Sequence, residues 1–485
     1  MSSFFKGGRL GSARKDVVNF TSSFQSDRKL LKFVISINKA HVLMMMEQKI
    51  IDWPTGVRLL QALKELDAGI KPRSGVEDIH LVIEEEVTKR AGSEVGGNLH
   101  IGKSRNDQVS TAIRMALREN LVNLVLLMIQ LQETLINLAA KHLETVIPGF
   151  THLQPAQPVT FAHYLLSYND MLERSVLRLE ENFQRVNLCP MGAGALATSS
   201  FPIVRERVAE LLGFDEVLEN SIDAVGSRDF ILETLADVTM VAVDVSRLTE
   251  DLIVWGSPNF GIIEFPDSFS STSSIMPQKK NPDVLEVIRA RMSHVIGNFM
   301  TSATIMKSLP SSYNMDFQEV TPRLWEALQD ISCSLDILSK FIHHMKVNKD
   351  VFNRPFLSFS TSTELVNMLT RKHGVPFRTA HRIVGALTRC LIDNSLTLSN
   401  VTPEMIQTMA KELGGPSLNV KTEDIRGSID PLKFVRAHNV RGGPSPIEVH
   451  RMIQTRKKGI ALSKKWSNEK KSKLAEADEK LRALV

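Results

Sequence analysis

A chain of 485 residues is several times the length that one hydrophobic core organises, so two or three domains are expected. Hydrophobic residues at 43% and charged residues at 23% are the balance of a soluble globular protein, and a net charge of +5 suits an anionic substrate while being too small to imply nucleic acid. The three cysteines, Cys189, Cys333 and Cys390, are scattered with no CxxC or Cys/His cluster, which argues against a disulfide framework, a metal site and an oxidising compartment.

The N-terminal stretch MSSFFKGGRLGSARKDVVNF carries charges and glycines where a signal peptide needs an apolar run. The longest apolar run, Leu124–Ile129, is far short of a membrane span. A cytoplasmic protein without membrane partners is expected. Residues 1–103 read as an N-terminal helical domain of short segments, broken at Trp53-Pro54, Lys71-Pro72 and the glycines near Gly96. Five long stretches then lack Gly and Pro almost entirely: Lys103–Ile147, Val159–Cys189, Ser227–Trp255, Asp283–Leu309 (except Gly297) and Arg323–Arg354. In the first, Val109, Ile113, Ala116, Met128, Leu131, Leu135 and Leu138 recur at helical steps. No comparable period-two alternation is evident. The expected fold is all-α, with a central bundle of five long helices over 104–355.

After Arg354 a new start, Pro355 followed by SFSTSTELVNML, opens a C-terminal helical domain over 356–485. Its tail is basic: eight of the eighteen residues from Arg456 to Lys473 are Lys or Arg. Acidic residues follow at once in LAEADEK, so a solvated helix face is favoured over a nucleic-acid patch. Several bundle helices are apolar over more than one stripe; Leu124–Ile129 alone covers most of a circumference. A helix apolar all round must be buried all round, and association with further copies of the chain is the simplest way to achieve it.

Polar residues gather at the breaks between long helices. The first cluster is His100–Gln108, the second Gly149–Pro158 and the third Ser270–Pro282. Helix N-termini flanked by hydroxyls and amides bind anions readily. Each cluster also has an ordinary structural reading: Ser104 or Asn106 as helix caps, His152 as a loop histidine among prolines, the serines as a flexible loop. That last reading accounts poorly for Lys279, Lys280 and Asn281 beside two hydroxyls, because a serine acts as a base only where its alkoxide is stabilised. Geometry adds a constraint. A helix of about 40 residues separates its ends by roughly 60 Å. Asn106 sits at one end and His152 just past the other, so a site using both must draw on more than one chain.

The third cluster, SSIMPQKKNPD, resembles the signature loop of the fumarase/aspartase superfamily. With SRNDQV at Ser104–Val109, THLQPAQP at Thr151–Pro158 and YNMDFQE at Tyr313–Glu319, it is similar to argininosuccinate lyases and their relatives the δ-crystallins. The resemblance runs from GGR at Gly7–Arg9 to about GVPFRTAH at Gly374–His381, and is weak over the last hundred residues. It implies a homotetramer with a twenty-helix core, active sites shared between subunits, no cofactor, and β-elimination of argininosuccinate to arginine and fumarate. By motif, Ser273 resembles the catalytic base, Lys279 the group stabilising its alkoxide, and His152 the general acid oriented by Glu286. Ser23, Asn106, Thr151, Asn281, Tyr313 and Gln318 match substrate-holding positions. Arg105 and Arg228 are read as carboxylate clamps, from the fork geometry of guanidinium.

Two positions depart from the family pattern. Thr272 stands where Gly usually precedes the two serines, which should stiffen a loop expected to close over substrate. Thr321 stands where many members carry Lys, with Arg323 the nearest replacement. Rival readings are an adenylosuccinate lyase or fumarase, or a non-catalytic crystallin-like protein. The presence of Ser23, Asn106, His152 and Ser273 together speaks against the last.

Overall fold

The computed structural model describes residues 14–66 and 76–485, apart from the side chain of Phe356. The Gly7–Arg9 motif and the Lys71-Pro72 break lie outside the described residues. After the short helices Lys15–Thr21 and Phe24–Asp27 come α1 (Leu31–Glu47), α2 (Trp53–Glu65) and α3 (Ile79–Ala91). The five long helices follow as α4 (Arg105–Lys141), α5 (Phe161–Val186), α6 (Asp229–Gly256), α7 (Asp283–Met306) and α8 (Phe317–His344).

Their ends obey local chemistry. Ser104 caps α4 in a capping box: its Oγ accepts from the Asn106 N–H at 3.3 Å, and Asp107 Oδ1 accepts from the Ser104 N–H at 3.0 Å. Thr160 caps α5 by accepting from the His163 N–H at 3.0 Å. Asp283 and Glu286 occupy the first turn of α7, where the helix dipole favours negative charge. The fifth helix departs from the sequence expectation. It starts at Phe317, six residues before Arg323, and carries Pro322 inside. Proline forfeits one backbone bond there, but burial of Phe317, Val320 and Leu324 outweighs the loss.

Cross-helix bonds fix the directions. Arg114 reaches the Arg185 carbonyl and Asn169 reaches that of Gln132, so α4 and α5 are antiparallel. Tyr168 with Asp251 and Asn182 with Asp237 make α6 antiparallel to α5. Arg289 with Glu250 and His294 with Asp330 continue the alternation through α7 to α8. Thus α4, α6 and α8 start at one end of the bundle, called here the lower end. The loops before α5 and before α7 lie at the upper end.

One apolar core runs through α1–α3 and the bundle. A separate core, built on residues from Leu365 to Ile425, belongs to the C-terminal helices, among them α9 (Ser362–His373) and α10 (Phe377–Asp393). The basic tail is a sixth long helix, α11 (Pro446–Ala483), and it returns to the bundle. Arg456 grips Asp170 through two bonds of 2.7 Å, Lys464 meets Glu133 at 2.6 Å, and Trp466 packs edge-on against Phe183. One face of α11, with Val449, Met452, Ile453 and Ile460, is therefore packed on the bundle, while Lys457, Lys458, Lys465, Lys471 and Lys473 stay exposed. Helix α4 is long and apolar enough to cross a membrane by composition, yet 56% of that apolar window is buried inside the protein, as a core helix is. Leu177, Met240, Val243, Val287, Met300 and Ile337 remain exposed on α5–α8.

Candidate active site

At the lower end a narrow cleft collects Ser23, Arg105, Arg228, Tyr313 and Gln318 with Asp27, Phe317 and Thr321. Five of the residues read from sequence as substrate contacts thus lie together. Arg105 pairs with Glu77 at 2.8 Å and with Asp78, which also caps α3. In the orientation that matches donors with acceptors, the Gln318 amide oxygen accepts from Arg105 at 3.3 Å and its nitrogen donates to the Thr21 carbonyl at 3.2 Å.

Arg228 is fully buried, stacked over Phe317 at 4.6 Å, and donates from Nη1 to the Val225 and Ser227 carbonyls. Its Nε and Nη2 have no partner among the described residues, and burial lowers its pKa to about 10. The guanidinium stays charged at neutral pH with two donors unspent, the state that favours an incoming carboxylate. Arg323 pairs with Glu326 at 2.9 Å and is not among the cleft's lining residues. Thr321 instead turns its hydroxyl to the Phe317 carbonyl.

Asn106 stands beside this cleft on the first turn of α4 and donates to the Ala195 carbonyl at 3.4 Å. Two acids that the sequence reading passed over shape this end. Buried Asp107 accepts from the N–H groups of Gly192 (3.1 Å) and Gly194 (2.9 Å), pinning the 190–199 loop against Asn106. Asp27 accepts from the Ser23 hydroxyl at 2.6 Å, and burial pushes its carboxyl up to about 7. A four-residue spacing from Ser23, in SFQSD, was the one sequence sign of that pairing.

The upper end holds the remaining residues in two places. Thr151 and His152 lie on a β-hairpin, β1 (Val146–Thr151) and β2 (Gln154–Thr160), where the sequence suggested only a break. His152 and Leu153 form its two-residue turn with φ of 56° and 58°, both left-handed. Two non-glycine residues held there make a strained turn, which surrounding structure must enforce. Phe150 supplies an anchor, packing on Phe260 and Trp255 at 5.2 and 6.2 Å. His152 is left exposed at the tip.

The second place is the Ser270–Pro282 loop. Thr272 pairs with Lys280 and Ser271 with Asn281 in a short ladder, where the β-branched Thr272 suits the extended backbone. Ser273 Oγ accepts from the Ile275 and Met276 N–H groups at 3.3 and 3.2 Å. Two amides aimed at one hydroxyl oxygen are donors suited to an alkoxide. Lys280 is held by Asp267 at 2.5 Å and Asn281 donates to Ser271 at 3.4 Å, while Lys279 and Glu286 are exposed. Among the described residues, no bond within one chain joins His152 to Glu286, or Ser273 to Lys279 or His152.

A family profile described as Lyase matches residues 58–297, and one described as Argininosuccinate lyase C-terminal matches residues 359–436. Argininosuccinate lyase of Methanococcus aeolicus is 41% identical over 96% of both chains, and that of Methanocaldococcus jannaschii is 41% identical over 97% of both.

The chain belongs to the argininosuccinate lyase family.

Among solved structures, an EDDS lyase in complex with formate superposes with a TM-score of 0.87 at 30% identity, covering 94% of this chain and 91% of that one. A class II fumarase from Schistosoma mansoni, at 16% identity and a TM-score of 0.72 over 85% of this chain and 91% of that one, shares the all-helical fold. Family likeness is therefore not confined to the region before His381. It continues through residues 359–436, correcting the expectation of a weak match over the last hundred residues. Of the two upper-end places, both fall inside the Lyase match, whereas Ser23, Tyr313 and Gln318 lie beyond its limits.

Proposed function

We propose that this chain cleaves argininosuccinate into arginine and fumarate, at sites that each combine the lower end of one subunit with the upper ends of others. Full-length likeness to argininosuccinate lyases carries the reaction. The separation of the two ends carries the shared site: α4 has 37 residues, which sets its ends about 55 Å apart.

The chemistry follows from the groups available. Ser273, with two amides and the nearby Lys279 favouring its alkoxide, takes a proton from the carbon beside a succinyl carboxylate. The carboxylate then bears a developing dianion, which Arg228 and the donor groups of Asn106, Thr151 and Asn281 are suited to hold. Electrons from the broken C–H bond form the new C=C bond as the C–N bond breaks. His152, with Glu286 as its orienting partner, gives a proton to the departing guanidino nitrogen. Tyr313, Gln318 and Ser23 hold the arginine portion, and Arg105 keeps the cleft in shape through Glu77 and Asp78. Reaction and binding use side chains and backbone alone, with no cofactor.

The assembly proposed is a homotetramer in the cytoplasm, its contacts made by the apolar side chains exposed on α5–α8. The domains proposed are 1–103, 104–355 and 356–485. Following fumarate absorbance with argininosuccinate, adenylosuccinate and malate in turn tests the reading. Signal is expected with argininosuccinate; silence there while another substrate reacts would overturn it.

A further inference from the structure

Asp107 is not among the groups assigned to the reaction, yet its carboxylate joins the segments that carry two of them. It lies fully buried on the first turn of α4. Oδ1 accepts from the Ser104 N–H at 3.0 Å, which fixes the turn bearing Asn106. Oδ2 accepts from Gly192 at 3.1 Å and from Gly194 at 2.9 Å. Burial pushes the carboxyl up to about 6, so at neutral pH it is largely ionised and its three amide bonds are charge-assisted.

The loop at the far side of those bonds is shaped to make them. Gly192 and Gly194 have φ of 81° and 64°, values that favour glycine, and in this conformation both amides reach one oxygen. A Cβ at Gly194 would meet the Thr198 carbonyl oxygen at 2.5 Å. Thr198 closes the loop by donating its N–H to the Ala193 carbonyl at 2.8 Å, with φ at 59°, uncommon for a β-branched residue. Strained backbone of this kind persists only where its surroundings hold it.

From the loop, contacts lead on to the substrate end in two directions. The Ala195 carbonyl accepts from Asn106 Nδ2 at 3.4 Å. The Leu196 carbonyl accepts from Ser221 Oγ at 2.7 Å, at the start of the short helix Ser221–Gly226. Ala193 also packs in a small buried cluster with Ala224 and Val225, and the Val225 carbonyl accepts from Arg228. One carboxylate thus links the turn of α4 that bears Asn106 to the segment that holds Arg228.

We propose that Asp107 is a positioning residue, which clamps the 190–199 loop and so sets Asn106 and Arg228 against each other for the succinyl carboxylate. The proposal rests on the assignment of those two residues to that carboxylate. Calorimetry on the full-length protein compares fumarate, the product that carries this carboxylate, with arginine, the portion assigned to Tyr313, Gln318 and Ser23. Asp107→Asn keeps the side chain's volume but turns an amide nitrogen toward backbone donors. Gly194→Ala opens the clamp from the loop side and leaves Asp107 and its bond to Ser104 in place. Both variants should keep the helical circular dichroism and the assembly size of the natural protein. Each should weaken fumarate at least tenfold while arginine stays within twofold, a split that general loosening of the fold would not give. The double variant should bind fumarate within twofold of the weaker single variant, since both changes act through one clamp. Should Asp107→Asn not fold, Gly194→Ala decides alone. Arg228→Met separates the two levels of the argument. If it leaves fumarate affinity unchanged, the carboxylate assignment fails and the proposal with it. If it weakens fumarate while Asp107→Asn and Gly194→Ala do not, or if those two weaken arginine as much as fumarate, the clamp alone is overturned.

Discussion

Arg228 holds a full charge in the protein interior with two nitrogens unsatisfied, an arrangement that folding alone does not favour. Unmade hydrogen bonds of a buried charged group cost about 1–3 kcal/mol. A residue kept there against that cost is most simply explained by a ligand that completes it. Arg228→Met should therefore leave stability in urea unchanged or slightly raised, while kcat/KM falls by roughly 100-fold, the worth of about 3 kcal/mol of charge-assisted bonding. A variant that unfolds more easily but turns over normally would contradict the assignment. Asp27 makes a different prediction. Burial raises its carboxyl from 3.8 to about 7, against the opposing bond from Ser23. The folded protein then retains a proton that the unfolded chain has released, so the stability tied to it is present in acid and is lost as pH rises through 7. Asp27→Asn should shrink the fall in unfolding free energy between pH 5 and pH 8 by about 2–3 kcal/mol. Denaturation curves at the two pH values measure this, and an undiminished fall would refute it. At this scale the sequence was informative where motifs carried the residue, as for Arg105 and Tyr313, which meet in the lower cleft. It was silent on Asp107, because an ordinary acid acquires its role only when the distant Gly192 and Gly194 arrive beside it, and for Asp27 the spacing from Ser23 gave no sign of the burial that raises its carboxyl.

Among elements, absence of Gly and Pro marked the five long helices, with bounds off by up to ten residues at the fifth, since those two residues interrupt helices most strongly. Pro322 misled for the same reason: a local rule lost to the burial of Phe317 and Val320. The β-hairpin was hidden because Pro148, Pro155 and Pro158 replace the alternating pattern of a strand, and its turn uses His152-Leu153 in place of the usual Asn-Gly. Helix α11 was underread because polar pairs stand on its bundle-facing side beside the buried Val449, Met452, Ile453 and Ile460. Arg456 with Asp170 and Lys464 with Glu133 look in sequence like solvent-facing charge. Asp170 and Arg456 are mostly shielded and bidentate, which makes this pair stronger than a surface ion pair. Arg456→Ala is expected to cost about 1–2 kcal/mol in chemical denaturation. The same change at exposed Lys465, whose Glu469 partner lies 3.9 Å away, should cost under about 0.5 kcal/mol. Equal effects at the two sites would mean that α11 is not clamped through Arg456.

For the whole molecule, the length of one helix governs what a subunit can do alone. The cleft with Arg228 and Asn106 lies at the foot of α4, and the turn with His152 lies beyond its head. Their separation exceeds any substrate, so on the proposed assignment a lone subunit presents two half-equipped ends. Association that sets the head of one chain on the foot of another would assemble both halves while covering the apolar side chains left open on α5–α8. Light scattering should accordingly find a tetramer, and an active monomer would refute the arrangement. The sharper measurement uses two inactive variants, Asn106→Ala, which disables the foot, and His152→Asn, which disables the head. In a mixed assembly, some interfaces bring the intact foot of one variant to the intact head of the other. Subunits exchanged by mild denaturation and refolding should regain a substantial fraction of activity, although neither variant works alone. The regained fraction should depend on the mixing ratio and peak near equal amounts. Since every subunit then carries one damaged end, recovery cannot come from a site built within one chain. Hybrids shown by mass spectrometry to be well mixed yet still inactive would place the acid and the clamp within the same subunit.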